Sequence, residues 1–213
     1  MVTPTHPPAP ARPDVPTGTH VAGIVLAAGA STRMGTNKLL LPVDGVPMVR
    51  RTVQRVVDAG AWPVVVVTGH EAASVRNALT GLPVIFTEND AFTGPTSGSL
   101  HAGLRKLGND VEATVVMLAD MVHVTTAMIA ELVGAVRTGD APLAVSRYGD
   151  VLAPPLAFRR ALWPELLAWH GEGCGKKVVL AHQEHAIVHD WPAAALRDID
   201  TPDDYASLTT AAG

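Results

Sequence analysis

The feature that most constrains the fold is a rhythm. Short blocks of apolar, largely β-branched residues recur along the chain and alternate with stretches of helical periodicity. Residues 21–26, 62–68, 83–87 and 114–118 read as strands, with a fifth around 142–147. Blocks this short and this uniformly apolar suit strands buried on both faces of a parallel sheet. Between them, 47–59 reads as a helix with Pro47 at its start and Gly60 just past its end. Residues 72–80, 97–107 and 125–137 read as further helices. Beyond 147 the alternation is less regular, with helices expected near 161–169 and 176–182, a strand near 186–189 and a last helix near 202–208. Strands alternating with helices imply an α/β fold of three layers around a mainly parallel, mixed sheet.

Composition narrows the class. The 213 residues fit one domain over 21–213, preceded by a flexible tail at 1–20, where prolines between Pro4 and Pro16 remove backbone donors and little is apolar. That tail lacks the apolar core of a secretory signal. With 47% hydrophobic and 17% charged residues the chain has material for a full core. No run approaches the roughly 18 apolar residues that span a bilayer, so no membrane partner is expected. The net charge of −4 gives no basic footprint for nucleic acid. Cys174 is the single cysteine, so no intrachain disulfide forms, which fits a cytoplasmic protein.

The most informative stretch follows the first strand: Leu26, Ala27, Ala28, Gly29, Ala30, Ser31, Thr32, Arg33, Met34, Gly35, Thr36, Asn37, Lys38. Small residues let backbone N–H groups approach an anion closely. In open α/β sheets, ligands sit beyond the carboxyl ends of strands. Arg33 can grip phosphate oxygens in bidentate fashion, and Lys38 can act as a point charge. The spacing matches neither G-x-G-x-x-G nor G-x-x-x-x-G-K-[ST], so a standard dinucleotide site or P-loop is not supported.

The string L-A-A-G-x-S-x-R-M-G-x-x-K resembles the signature of the MobA-like NTP transferases, and among them most resembles the molybdenum cofactor cytidylyltransferases. The resemblance implies a Rossmann-like nucleotidyltransferase fold. It also implies Mg²⁺-dependent transfer of a nucleoside monophosphate to a phosphate-bearing acceptor, with release of pyrophosphate. The guanylyl-transferring branch typically reads L-A-G-G, whereas this chain reads Leu26-Ala27-Ala28-Gly29. Many sugar nucleotidyltransferases share A-A-G. The implied nucleotide is therefore CTP and the implied acceptor molybdopterin bearing Mo, with a molybdoenzyme or its chaperone as downstream partner. Guanylyl transfer, sugar-phosphate nucleotidyl transfer, and an accessory or oxidoreductase role on the same fold are the alternatives.

Two aspartate elements complete the expected site. Residues 115–118 run directly into Ala119-Asp120-Met121, which puts Asp120 at the same sheet edge as the loop if the strands are parallel. A strand-end aspartate also suits a turn. The family has a similar L-x-D-x-P element whose aspartate binds metal; this chain has His123 in the proline region. The second element is Asp198-Ile199-Asp200-Thr201-Pro202-Asp203-Asp204. Here Thr201 or Asp200 can cap a helix with Pro202 in its first turn. Resemblance to the family's D-I-D-T-P-E-D-L implies that Asp200, or else Asp198, is a second metal ligand.

By the same resemblance, Arg33, Lys38 and Asp120 carry catalysis. The nucleotide is expected to meet Leu26, Ala27, Ala28, Gly29, Ser31, Arg33, Gly35, Lys38, Ser97 and Ser99. For the two serines, ordinary helix capping is the competing explanation. The glycine-rich 171–177 stretch is similar to the family's G-D-x-G-A-R and is a candidate for the acceptor phosphate, with Glu172 in place of aspartate. His182, His185 and His189 have suggestive spacing but no clear further ligand.

Overall fold

The computed structural model describes residues 20–31, 34–173, 175–197, 199, 201 and 203–206. Apart from His20, the expected tail 1–20 lies outside the described residues. In chain order the strands are β1 (His20–Ala27), β2 (Pro42–Val43), β3 (Val46–Pro47), β4 (Val64–Thr68), β5 (Val84–Glu88), β6 (Val111–Leu118), β7 (Leu143–Tyr148), β8 (Val151–Arg159) and β9 (Ala186–Trp191). The helices are α1 (Met48–Asp58), α2 (Ala72–Ala78), α3 (Thr96–Lys106), α4 (Thr126–Thr138), α5 (Trp163–Ala168) and α6 (Lys176–Ala181).

Seven strands form one sheet in the order β5-β4-β1-β6-β8-β7-β9. β1 pairs in parallel with β4 and β6, and β4 with β5. β8 is antiparallel to both its neighbours, and β9 runs parallel to β7. The sheet is therefore mixed, with a single reversed strand. Alternate residues of β1 feed two cores, as the period of two along a strand requires. Val21, Val25 and Ala27 pack with α1, α2 and α4, while Ala22, Ile24 and Leu26 pack with α3, α5 and α6. The result is three layers. α3 lies close on the sheet because Gly103 has no side chain: a Cβ there would come 2.6 Å from Ile24 Cγ2.

Three features depart from the expectations. β8 was not foreseen, because Pro154-Pro155 reads as a breaker. Its register against β7 slips at Val145/Ser146, from Val145↔Leu156 to Ser146↔Ala153, so the proline pair sits at a bulge where ladder donors are not needed. The small β2–β3 hairpin was also unforeseen. It turns on Asp44 and Gly45, both at positive φ (52° and 77°), the pairing that a two-residue hairpin demands. The helix expected at 161–169 is shorter than anticipated, a 3-10 turn at Arg160–Leu162 followed by α5.

Ile199 and Tyr205 pack back near the β2–β3 hairpin. Ile199 is 2% exposed and packs with Val43, Met48 and Val122. Tyr205 Oη donates to Pro42 O at 2.6 Å. Residues 203–206 are helical, and Thr201 is their cap. Asp204 N–H donates to Thr201 Oγ1 at 3.2 Å, and Thr201 N–H donates back to Asp204 Oδ2 at 2.8 Å, a reciprocal arrangement that satisfies donors at a helix start. Among the described residues no helix is long and apolar enough to cross a membrane.

Candidate functional site

Parallel pairing brings four strand ends to one edge. Leu26 is opposite Leu118, Ala27 opposite Thr68, and Thr68 opposite Glu88. Two loop contacts prolong the ladder: Ala119 N–H donates to Leu26 O at 3.1 Å and His70 N–H to Ala28 O at 3.2 Å. The chain after β1 is thus held by its neighbours while its own donors stay available. Among the described residues, the N–H groups of Gly29, Ala30 and Ser31 take no backbone partner. Ser31 adopts φ 48° and its carbonyl accepts from Met34 N–H at 2.9 Å, which folds the loop back on itself.

A cleft of about 330 Å³ opens over this edge. At its β6 flank, Lys38 Nζ lies 2.8 Å from Asp120 Oδ2, with both side chains mostly buried. Lys38 opens a 3-10 turn whose preceding residue, Asn37, accepts from Leu39 N–H through its side chain at 3.2 Å. Asp120 is presented by a short apolar anchor, since Ala119, Met121 and Val122 are all buried. Arg55 from α1 clasps the chain just past Asp120: its Nη1 donates to Val122 O at 2.6 Å and Val124 O at 2.8 Å. Burial and the nearby Arg51 hold the Arg55 pKa below the ordinary guanidinium value. His123, next to this clasp, is held below the usual imidazole value by burial first and then by Arg197, Arg55 and Arg51.

The opposite flank differs in chemistry. Phe92, in the β5–α3 connection, lines the cleft with Gly94 and Thr96. Gly69 makes room for it, since a Cβ there would come 2.5 Å from Phe92 Cβ and 2.9 Å from Ala28 Cβ. Asn89 ties this connection to α3 by donating through Nδ2 to Ser99 Oγ at 3.0 Å, with Asn89 Oδ1 accepting from Ala91 N–H. The cleft therefore has a charged end at Lys38 and Asp120 and an aromatic end at Phe92, which packs over Gly69 and Ala28.

Of the residues expected to meet the nucleotide, Leu26, Ala28, Gly29, Ser31, Lys38 and Ser99 line the cleft, as does Asp120. Ala27 does not; its side chain joins the core on the other sheet face, as strand alternation dictates. Gly35 is exposed at φ 67° outside the cleft lining. Ser97 is 3% exposed, and its hydroxyl is turned to the N–H of Gly171. Arg33, Asp198 and Asp200 lie outside the described residues, as does Cys174. The neighbouring Ile199 packs on Val122, two residues past Asp120, and the cap that Asp200 was a candidate for belongs to Thr201. His182 pairs with Glu165 of α5 and His189 with Glu131 of α4, so these two histidines engage helices on opposite sheet faces. Phe92 and Thr96 were not singled out from the sequence; an aromatic side chain inside a small-residue loop was the available signal for Phe92.

Known proteins place this architecture. Solved structures similar to it include Rv0371c from Mycobacterium tuberculosis H37Rv, at 27% identity and TM-score 0.81 over 91% of this chain and all of that one. A manganese complex of the same protein matches at 28% identity and TM-score 0.70, covering 90% and 99%. The molybdenum cofactor guanylyltransferase of Cupriavidus metallidurans is 30% identical over 86% of this chain and 92% of its own. The purine catabolism protein PucB of Bacillus subtilis is 27% identical over 87% and 94%. The bifunctional protein GlmU of Anaeromyxobacter dehalogenans is 52% identical, but only over 66 residues, so this chain spans 14% of that relative's length. The MobA-like NTP transferase domain matches residues 23–186, and the chain belongs to that family.

Proposed function

We propose that the protein is a Mg²⁺-dependent cytidylyltransferase that moves CMP from CTP to a phosphate-bearing acceptor, Mo-molybdopterin, and releases pyrophosphate. The observation that carries this reading is the pairing of Lys38 with Asp120 at 2.8 Å beside loop N–H groups at 29–31 that take no backbone partner among the described residues. A cation, a carboxylate and loop N–H donors at one end of a cleft suit a triphosphate with its metal, and the aromatic end at Phe92 suits a base.

The attacking group is an acceptor phosphate oxygen, already anionic near neutral pH, so no side-chain base has to remove a proton. It forms a bond to the α-phosphorus in line with the bond that breaks to pyrophosphate. Catalysis then rests on positioning and on stabilising charge. Lys38, Arg33 and the N–H groups of residues 29–31 receive the charge that collects on pyrophosphate. Asp120, with Asp200 as the second ligand and Asp198 in reserve, would hold Mg²⁺. One or two carboxylates completed by water and phosphate oxygens suit that ion. The metal supplies Lewis-acid polarisation of the phosphates.

Transfer of GMP is the second reading, because the Cupriavidus guanylyltransferase is 30% identical over nearly the whole chain. Titrating CTP, GTP, ATP and UTP into the protein with Mg²⁺ by calorimetry separates the two. Selective CTP binding that weakens about 10–100-fold in Lys38→Ala is the expected result. GTP selectivity moves the reading to guanylyl transfer, and absence of NTP binding rejects both.

A further inference from the structure

A second cavity of about 220 Å³ opens beside the nucleotide cleft. Its lining is mostly apolar, with Leu152, Pro154 and Leu156 from β8, and Lys176 at the start of α6 brings a cation to it. Thr96 and Leu118 line both cavities, so one wall serves the two. Thr96 opens α3, and the residue before it, Pro95, gives no side-chain cap. The cap comes from 76 positions away in the sequence. Thr96 N–H and Thr96 Oγ1–H both donate to Glu172 Oε2, at 3.2 and 2.5 Å. Ser97 N–H donates to Gly171 O at 3.1 Å, and Gly171 N–H donates to Ser97 Oγ at 3.0 Å. These contacts close the first turn of α3 onto residues 171–172.

The closure has two physical consequences. Gly171, Gly173 and Gly175 all hold positive φ, so this segment has much backbone freedom to lose and depends on outside contacts for its order. The Glu172 carboxylate also occupies the N-terminal end of α3, a position that attracts anions. An anionic acceptor group in this cavity is left to Lys176. The nucleotide cleft shares Thr96 with this closure, while the rest of its lining is held by the β1 ladder contacts and the Asn89–Ser99 bond.

We propose that Glu172 is a positioning residue that latches the glycine-rich loop to α3, so that it governs acceptor affinity far more than NTP affinity. The proposal rests on the nucleotidyltransferase reading above. Its test uses the full chain as wild type, Glu172→Ala and Glu172→Gln, with circular dichroism to verify folding. Three quantities are read: amide hydrogen exchange at residues 96–97 and 171–173, calorimetric CTP affinity with Mg²⁺, and steady-state KM for Mo-molybdopterin and for CTP. In Glu172→Ala, exchange accelerates and acceptor KM rises, each about tenfold, while CTP affinity stays within about twofold. Glu172→Gln is intermediate, because a neutral acceptor makes roughly half as strong a bond. Unchanged exchange in Glu172→Ala overturns the latch. Faster exchange with unchanged acceptor KM reduces Glu172 to a helix cap and overturns its positioning role. Equal losses for CTP and acceptor overturn the separation of the two sites. If the wild type transfers nothing to Mo-molybdopterin, that acceptor assignment fails. Glu172 is then judged on exchange and CTP affinity, where unchanged exchange or lost CTP binding overturns it.

Discussion

On the β5-β4-β1-β6 side of the sheet, strands run parallel and the candidate nucleotide cleft is assembled from residues just past their ends, each held by its immediate neighbour. On the β8-β7-β9 side, the adjoining cavity is made from a reversed, proline-bulged strand and from a glycine-rich loop tied to α3 by contacts 74 and 76 residues apart in sequence. Both regions join segments far apart in sequence. In the first, backbone ladders between regular strands place the residues. In the second, side-chain contacts between a loop and a helix start do so.

The largest expected effect lies in the first region. Asp120→Ala removes the carboxylate at the charged end and should lower turnover by about 10³-fold or more, judged against the loss of one preorganised electrostatic group. The circular dichroism spectrum should stay unchanged, because Asp120 is partly exposed and its backbone is anchored by Ala119 and Val122. Retained turnover would move the centre of the chemistry away from the β6 end. Lys38→Ala comes next. It should weaken CTP binding by about 10–100-fold in calorimetry, the range for losing a charge-assisted contact to an anion. A loss of turnover with full CTP affinity would instead place Lys38 on the transition state alone.

These residues were legible because their positions are set by strand ends. An apolar block running into a lone aspartate, and another running into a small-residue loop, need no knowledge of the rest of the chain. β8 was hidden because prolines in a strand are tolerated only where a bulge excuses them, and the bulge is visible only against β7. The β2–β3 hairpin was hidden because strands of two residues carry no periodicity to read. Ser97 was misplaced for a related reason. Its sequence context fits a helix start meeting a ligand, whereas its hydroxyl accepts from Gly171 N–H.

Arg55→Met sharpens the comparison at intermediate scale, since Arg55 is the long-range clasp of the first region. Its loss leaves the carbonyls of Val122 and Val124 without their guanidinium donor. The expected destabilisation is about 1–3 kcal/mol, or roughly 2–10 °C in Tm for a chain of this size. Turnover should fall further than CTP affinity, because the carbonyls that lose support lie just past Asp120 and Lys38 is untouched. Equal falls would mean that the clasp supports the whole cleft.

The smallest effect is a pH dependence confined to the same clasp. His123 is held below the ordinary imidazole value of 6.5, first by burial and then by Arg197, Arg55 and Arg51. In the folded protein the neutral ring is therefore favoured, and between the lowered value and 6.5 the unfolded chain binds more protons than the native one. Stability consequently rises with pH through that window and is flat above it, so acidification below 6.5 removes stability. A small fall in Tm between about pH 7.5 and 5.5 is the expected outcome, read from thermal melts across that range. His123→Gln should flatten the profile in this range while keeping CTP affinity at pH 7.5. An unchanged slope in His123→Gln would assign the acid sensitivity to groups outside the clasp.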